Sequence, residues 1–106
     1  MLTQELKARF DEEIKTNKIV LYMKGNQLLP QCGFSARALE LLKPYGDVYS
    51  VDVLAEPEVR KHIKEYSNWP TIPQVYINGK FVGGSDIVAE LAHRGELEAL
   101  IHSSSL

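Results

Sequence analysis

Residues 19–53 read IVLYMKGNQLLPQCGFSARALELLKPYGDVYSVDV. Ile19 to Met23 is apolar throughout, the pattern of a strand covered on both faces. Lys24-Gly25-Asn26-Gln27 breaks that run. From about Gly33 to Tyr45, residues Phe34, Ala38, Leu41, Leu42 and Tyr45 keep helical spacing, with an end around Pro44-Tyr45-Gly46. Val48 to Val53 then alternates apolar and polar residues, as a second strand does. Strand, helix and strand in this order predict a crossover unit.

Working outward, Leu2, Leu6, Phe10 and Ile14 recur every four residues through a segment rich in Glu, Lys and Gln, an amphipathic helix with Thr3 near its start. On the other side, Pro57 suits a first helical position and opens a helix with Val59, Ile63 and Tyr66 on one face. Gln74 to Ile77, Asn78-Gly79 and Lys80 to Val82 predict a hairpin, because Asn-Gly accepts the positive φ angles of a type I′ turn. Ser85 or Asp86 can cap a further helix through Ile87, Val88 and Leu91, stopped at Gly95. Leu97, Leu100 and Ile101 suggest a last short helix before a Ser103-Ser104-Ser105 tail. The order is α-β-α-β-α-β-β-α plus that short helix: an α/β protein with a central mixed four-stranded sheet flanked by helices. Residues 1–106 read as a single domain, with no repeat, linker or low-complexity segment.

Composition narrows the function. With 44% hydrophobic and 25% charged residues, the chain can bury one core without staples. A formal charge of −2 leaves no electrostatic footprint for nucleic acid, and the aromatics are scattered rather than interleaved with basic residues. No apolar run spans a bilayer, and the acid-containing, amphipathic N-terminus is unlike a signal peptide. A cytoplasmic location is expected, in keeping with a single cysteine.

That cysteine, Cys32, sits at the junction of the first strand and the following helix. Helix-terminal N–H groups and the macrodipole favour an anion there, so the thiolate should be stabilised over the thiol. Lys24, at the end of the strand, reads either as an ordinary solvated lysine or as a second positive charge beside the sulfur. A lone cysteine has no internal disulfide partner. Any redox chemistry or metal ligation through sulfur must take its other thiols from outside the chain. His62, His93 and His102 lack metal-ligand spacing.

Lys24-Gly25, Pro30-x-Cys32-Gly33-Phe34-Ser35, Trp69-Pro70-Thr71-Ile72-Pro73-Gln74 and Gly83-Gly84-Ser85-Asp86, in that order, resemble the monothiol glutaredoxins of the CGFS class, from about Leu2 to Leu100. The resemblance implies a thioredoxin-like fold and one glutaredoxin domain. It also implies a cis Ile72–Pro73 bond facing Cys32, with the backbone of Ile72 turned outward to pair with a cysteinyl peptide. In the family, Asp86 meets the ammonium of glutathione, backbone N–H groups of the Gly83–Asp86 segment meet the γ-glutamyl carboxylate, and Arg60 helps hold the glycyl carboxylate. The glutathione site implied is therefore Lys24, Cys32, Phe34, Arg60, Thr71, Ile72, Pro73, Gly84, Ser85 and Asp86. Phe34 reads either as core or as the rim around the sulfur, and Ser35 equally as a helix cap or a functional group. Trp69 and Pro70 are expected to fix the loop rather than touch ligand. Two departures stand out: Asn26-Gln27 replaces a Thr-Pro or Ser-Pro pair, which leaves the rigidity of the loop open, and Ser85 stands where some relatives carry a second cysteine.

The function implied is carriage of a [2Fe–2S] cluster shared between two subunits, in cluster transfer and iron homeostasis. Four thiolate-type ligands are needed; two copies of Cys32 supply two and two glutathiones the rest. A homodimer when cluster-bound is then expected, with BolA-like proteins and apo iron–sulfur recipients as further partners. The alternative is a glutathione-dependent monothiol oxidoreductase, at most weakly active, that removes glutathione from protein mixed disulfides with Cys32 as catalytic nucleophile.

Overall fold

The computed structural model describes residues 1–103, so the expected serine tail lies outside the described residues from Ser104 onward. The elements are α1 (Gln4–Thr16), β1 (Ile19–Met23), α2 (Gly33–Leu42), β2 (Tyr49–Asp52), α3 (Pro57–Ser67), β3 (Gln74–Ile77), β4 (Lys80–Gly83), α4 (Ser85–His93) and α5 (Glu96–His102). The sheet order is β2-β1-β3-β4. β1 pairs parallel with β2 and antiparallel with β3, and β3 pairs antiparallel with β4. This is the mixed four-stranded sheet expected from the sequence.

β1 organises both cores, because successive side chains of a strand point to opposite faces. Ile19, Leu21 and Met23 pack with Ala38, Leu39 and Leu42 of α2, Val88 of α4, and Leu97 and Ile101 of α5. Val20 and Tyr22 turn the other way, against Phe10 and Ile14 of α1 and Val59 and Ile63 of α3. All five β1 residues are buried, which is why no polar residue interrupts the run.

Local chemistry sets the boundaries. Thr3 caps α1, its Oγ1 accepting from the Leu6 N–H at 3.1 Å. The helix expected to reach Tyr45 stops at Leu42 and tightens into a 3-10 turn over Lys43–Tyr45, because Pro44 has no N–H to give to the carbonyl four residues earlier. Asn78 (φ 53°) and Gly79 (φ 81°) take the left-handed angles that the hairpin requires. α4 corrects the expected cap: Gly84, rather than Ser85 or Asp86, holds the N-cap and offers no side-chain cap bond. The cause lies one residue earlier. Gly83, at φ 145°, turns the chain off β4, so that helical geometry starts at once with Ser85.

Candidate functional site

At the C-terminal end of β1 the chain makes a loop whose ends meet, with Gly25 bridging Pro30 and the Gln31 N–H bonding the Lys24 carbonyl at 2.9 Å. Gly25 is required there: at φ 88°, a Cβ would lie 2.5 Å from the Gln31 nitrogen. Its own N–H donates to Asp52 Oδ1 at 3.0 Å, tying the loop to the end of β2. The Asn26-Gln27 pair does not loosen this loop. Asn26 Oδ1 accepts from the N–H groups of Leu28 and Leu29 at 2.9 and 2.8 Å, and Gln27 Nε2 donates to the Val48 carbonyl at 2.7 Å and to Ser50 Oγ at 3.0 Å. Side-chain bonds thus hold what a proline would otherwise stiffen.

Cys32 follows as the N-cap of α2. Its side chain makes no cap hydrogen bond, yet the donors around it favour the thiolate. The backbone N–H of Ser35 is the main cause holding the thiol below its ordinary value; partial burial opposes it, and the N–H of Phe34, the Ser35 hydroxyl and the charge on Lys24 act with it. Ser35 is therefore not the cap. It is fully buried in the first turn of α2, and its Oγ accepts from the Lys24 N–H at 3.1 Å, joining the end of β1 to the thiol's own helix. Phe34 is 63% exposed and lines the cleft with Cys32, and Leu28 and Leu29 in the preceding loop are exposed at 97% and 64%. Of the two readings left open for Phe34, the structure takes the rim.

Opposite the sulfur, the Ile72–Pro73 peptide is cis. The Ile72 side chain turns into the core between β1 and α3. A cleft of about 580 Å³ runs between this loop, α3 and the start of α4, and all ten expected ligand residues line it: Lys24, Cys32, Phe34, Arg60, Thr71, Ile72, Pro73, Gly84, Ser85 and Asp86. Four others join them: Lys64, Trp69, Pro70 and Ile87. Lys64 was legible as the residue four beyond Arg60, one turn along the same helix face. Trp69 both fixes the loop and reaches the cleft, its ring packing at a tilt of 53° against Phe81 with 5.5 Å between ring centroids. Among the described residues, the side chains of Arg60, Lys64 and Asp86 form no ion pair and no hydrogen bond. The cleft therefore presents cations on the α3 side, an anion on the α4 side and a thiol between them.

A mixed sheet with an activated thiol at the N-terminus of the helix after β1, facing a cis-proline loop, defines a thioredoxin-like thiol protein. The comparisons are more specific. Residues 19–82 match the Glutaredoxin family model. The chain is 52% identical over 101 residues to an uncharacterized monothiol glutaredoxin, ycf64-like, of Synechocystis, covering 94% of each, and 45% identical over 98 residues to glutaredoxin 4 of Escherichia coli, covering 92% of this chain and 85% of that one. Among solved structures, a monomeric truncated mutant of Trypanosoma brucei 1-C-Grx1 superposes with a TM-score of 0.81 at 42% identity, covering 90% of this chain and 87% of the other. The chain belongs to the glutaredoxin family and, with one cysteine in its site, to the monothiol glutaredoxins.

Proposed function

We propose that this monothiol glutaredoxin binds glutathione in the cleft beside Cys32 and, as a homodimer, carries a [2Fe–2S] cluster that it hands to apo iron–sulfur proteins in a reducing, cytoplasmic compartment. The observation that carries the reading is the unpaired charge set around a single activated thiol. Glutathione is a zwitterion with two carboxylates and one ammonium; Arg60 and Lys64 match a carboxylate, Asp86 the ammonium, and the uncapped first turn of α4 the second carboxylate. A cleft of about 580 Å³ lies within the usual range for small-molecule sites.

Cys32 is the one cysteine of the sequence, so thiolate ligation of the cargo by the protein comes to one sulfur per chain. Two chains and two glutathiones complete four sulfur ligands. Exposed Phe34 lines the cleft with Cys32, and Leu28 and Leu29 are exposed in the loop that precedes the thiol, where a second subunit, a BolA-like protein or a recipient would approach. Anaerobic reconstitution with iron, sulfide and glutathione, followed by native mass spectrometry, tests the model. The expected species is a dimer with one cluster and two non-covalent glutathiones, dissociating when iron is removed. A stable cluster-bound monomer, or a loaded dimer with no added thiol, overturns it.

The lowered thiol pKa favours a second reading on the same site. Cys32 thiolate attacks the glutathione sulfur of a protein mixed disulfide, the protein thiolate leaves, and a second glutathione thiolate releases oxidised glutathione and restores Cys32. Turnover on a glutathionylated peptide measures this activity directly.

A further inference from the structure

One polar atom in the cleft wall is unexplained by the fold. The indole Nε1 of Trp69 is buried and, among the described buried side-chain atoms, it alone hydrogen-bonds nothing. A buried donor with no acceptor weakens the folded state unless something outside the chain completes it. The ring is held in place: the Trp69 N–H bonds Ser67 Oγ at 3.1 Å and the Lys64 carbonyl at 3.2 Å, the Trp69 carbonyl accepts from Gln74 Nε2 at 3.1 Å, and the indole packs at a tilt against Phe81.

Its neighbour across the cleft is Gly84. A Cβ there would lie 4.0 Å from Nε1 and 3.3 Å from the Pro73 carbonyl oxygen, so the indole N–H, the cis-proline carbonyl and the start of α4 converge on the one residue without a side chain. Gly84 adopts φ −94°, which any residue tolerates, so its backbone angle does not demand glycine. Glycine puts no side chain beside Nε1 at this point, although the fold itself still covers the donor.

We propose that Trp69 is a ligand-contacting residue, its indole Nε1–H donating to the carboxylate that seats on the first turn of α4. The inference rests on the glutathione reading above, in which that carboxylate belongs to the γ-glutamyl residue. The free protein covers the donor, and the ligand reaches it past Gly84. The contact reads a free α-carboxylate, so it distinguishes γ-glutamyl thiols from thiols lacking that group.

Trp69 is the chain's one tryptophan, so a ¹⁵N-labelled sample gives a single indole cross-peak. Titration of the apo-protein with glutathione, and with γ-glutamylcysteine, should move that peak downfield in proton shift; cysteinylglycine should not. Trp69→Phe keeps an aromatic ring against Phe81, loses the donor, and should weaken glutathione about tenfold by calorimetry. A silent indole at saturating glutathione overturns the proposal, as does a moving peak together with unchanged affinity in Trp69→Phe. Wild-type protein that binds no glutathione at all removes the site reading itself, whereas binding with a silent indole removes only the role of Trp69.

Discussion

Arg9 and Arg60 belong to two faces of the same molecule and are treated in opposite ways. Arg9 of α1 donates to both oxygens of Glu56 at 2.7 and 3.0 Å and to Glu13 at 3.1 Å. Glu13 is buried and also accepts from the hydroxyls of Tyr22 at 2.7 Å and Tyr49 at 3.0 Å. These contacts hold the Glu56 carboxyl below its usual range, and burial together with Glu13 pushes the Tyr22 hydroxyl up. Arg60, on the cleft face of α3, has none of this. Charges that serve the fold are consumed by it; those in the cleft are left unpaired, as the proposed ligand site requires.

The largest effect that sharpens this division is expected at the thiol. Cys32→Ser should abolish cluster binding and glutathionyl exchange together, since the chain holds no other thiol, while thermal stability stays within the range of a surface substitution. Visible absorbance retained by the variant after anaerobic reconstitution with glutathione would show that Cys32 is not the ligand.

The charges give a double dissociation. Arg60→Ala and Asp86→Ala should each weaken glutathione by roughly 1–3 kcal/mol, the range for a charge-assisted hydrogen bond, with little change in melting temperature. Arg9→Ala should do the reverse. It leaves buried Glu13 with tyrosine donors alone, and a loss of about 1 kcal/mol is expected, discounted because the Arg9 side chain is 35% exposed. Calorimetric affinity and urea denaturation on the three variants decide it. Lowered affinity in Arg9→Ala at unchanged stability would dissolve the distinction.

Ser35→Ala should have a smaller effect. The hydroxyl supports the Cys32 thiolate and accepts from Lys24, so its loss should raise the thiol pKa and slow alkylation at neutral pH about three- to tenfold, the equivalent of one modest hydrogen bond. An unmoved pH–rate profile would assign the lowered pKa to the backbone N–H groups alone.

How much of this was legible in the sequence depends on how local the cause is. The doubly buried β1, the Asn78-Gly79 turn and the thiol before a helix each follow from adjacent residues, and all stand in the structure as read. The ten expected ligand residues came through the family resemblance, and one cleft gathers them. What could not be read depends on segments meeting in space. Asp52 captures the Gly25 N–H from a different strand, Ser35 reaches back to Lys24, and the indole of Trp69 faces Gly84. The rigidity of the loop at Asn26-Gln27 stayed open for the same reason: Gln27 finds its partners at Val48, just before β2, and at Ser50 within it, more than 20 positions away. The cap of α4 was missed by a single residue, because Ser and Asp are the commoner caps and only the turn at Gly83 shows that the helix has already begun.

The smallest expected effect tests whether the thiol belongs wholly to the set of groups kept for chemistry. Because folding lowers the Cys32 pKa, the thiolate is favoured in the native state over the unfolded chain. The sign follows: this contribution is fully present above the ordinary thiol value, declines as pH falls toward the lowered native value, and is absent below it. The difference in unfolding free energy between the wild type and Cys32→Ala should therefore grow as pH rises through that window and level off above it. Urea titrations of both proteins at a series of pH values, under reducing conditions, measure the difference without needing the absolute stability of either. Other titrating groups are common to the two chains and cancel to first order. A difference that stays flat across the window would mean that the Ser35 and Phe34 N–H groups do not favour the anion over the thiol, and the case for Cys32 as an activated nucleophile would fall.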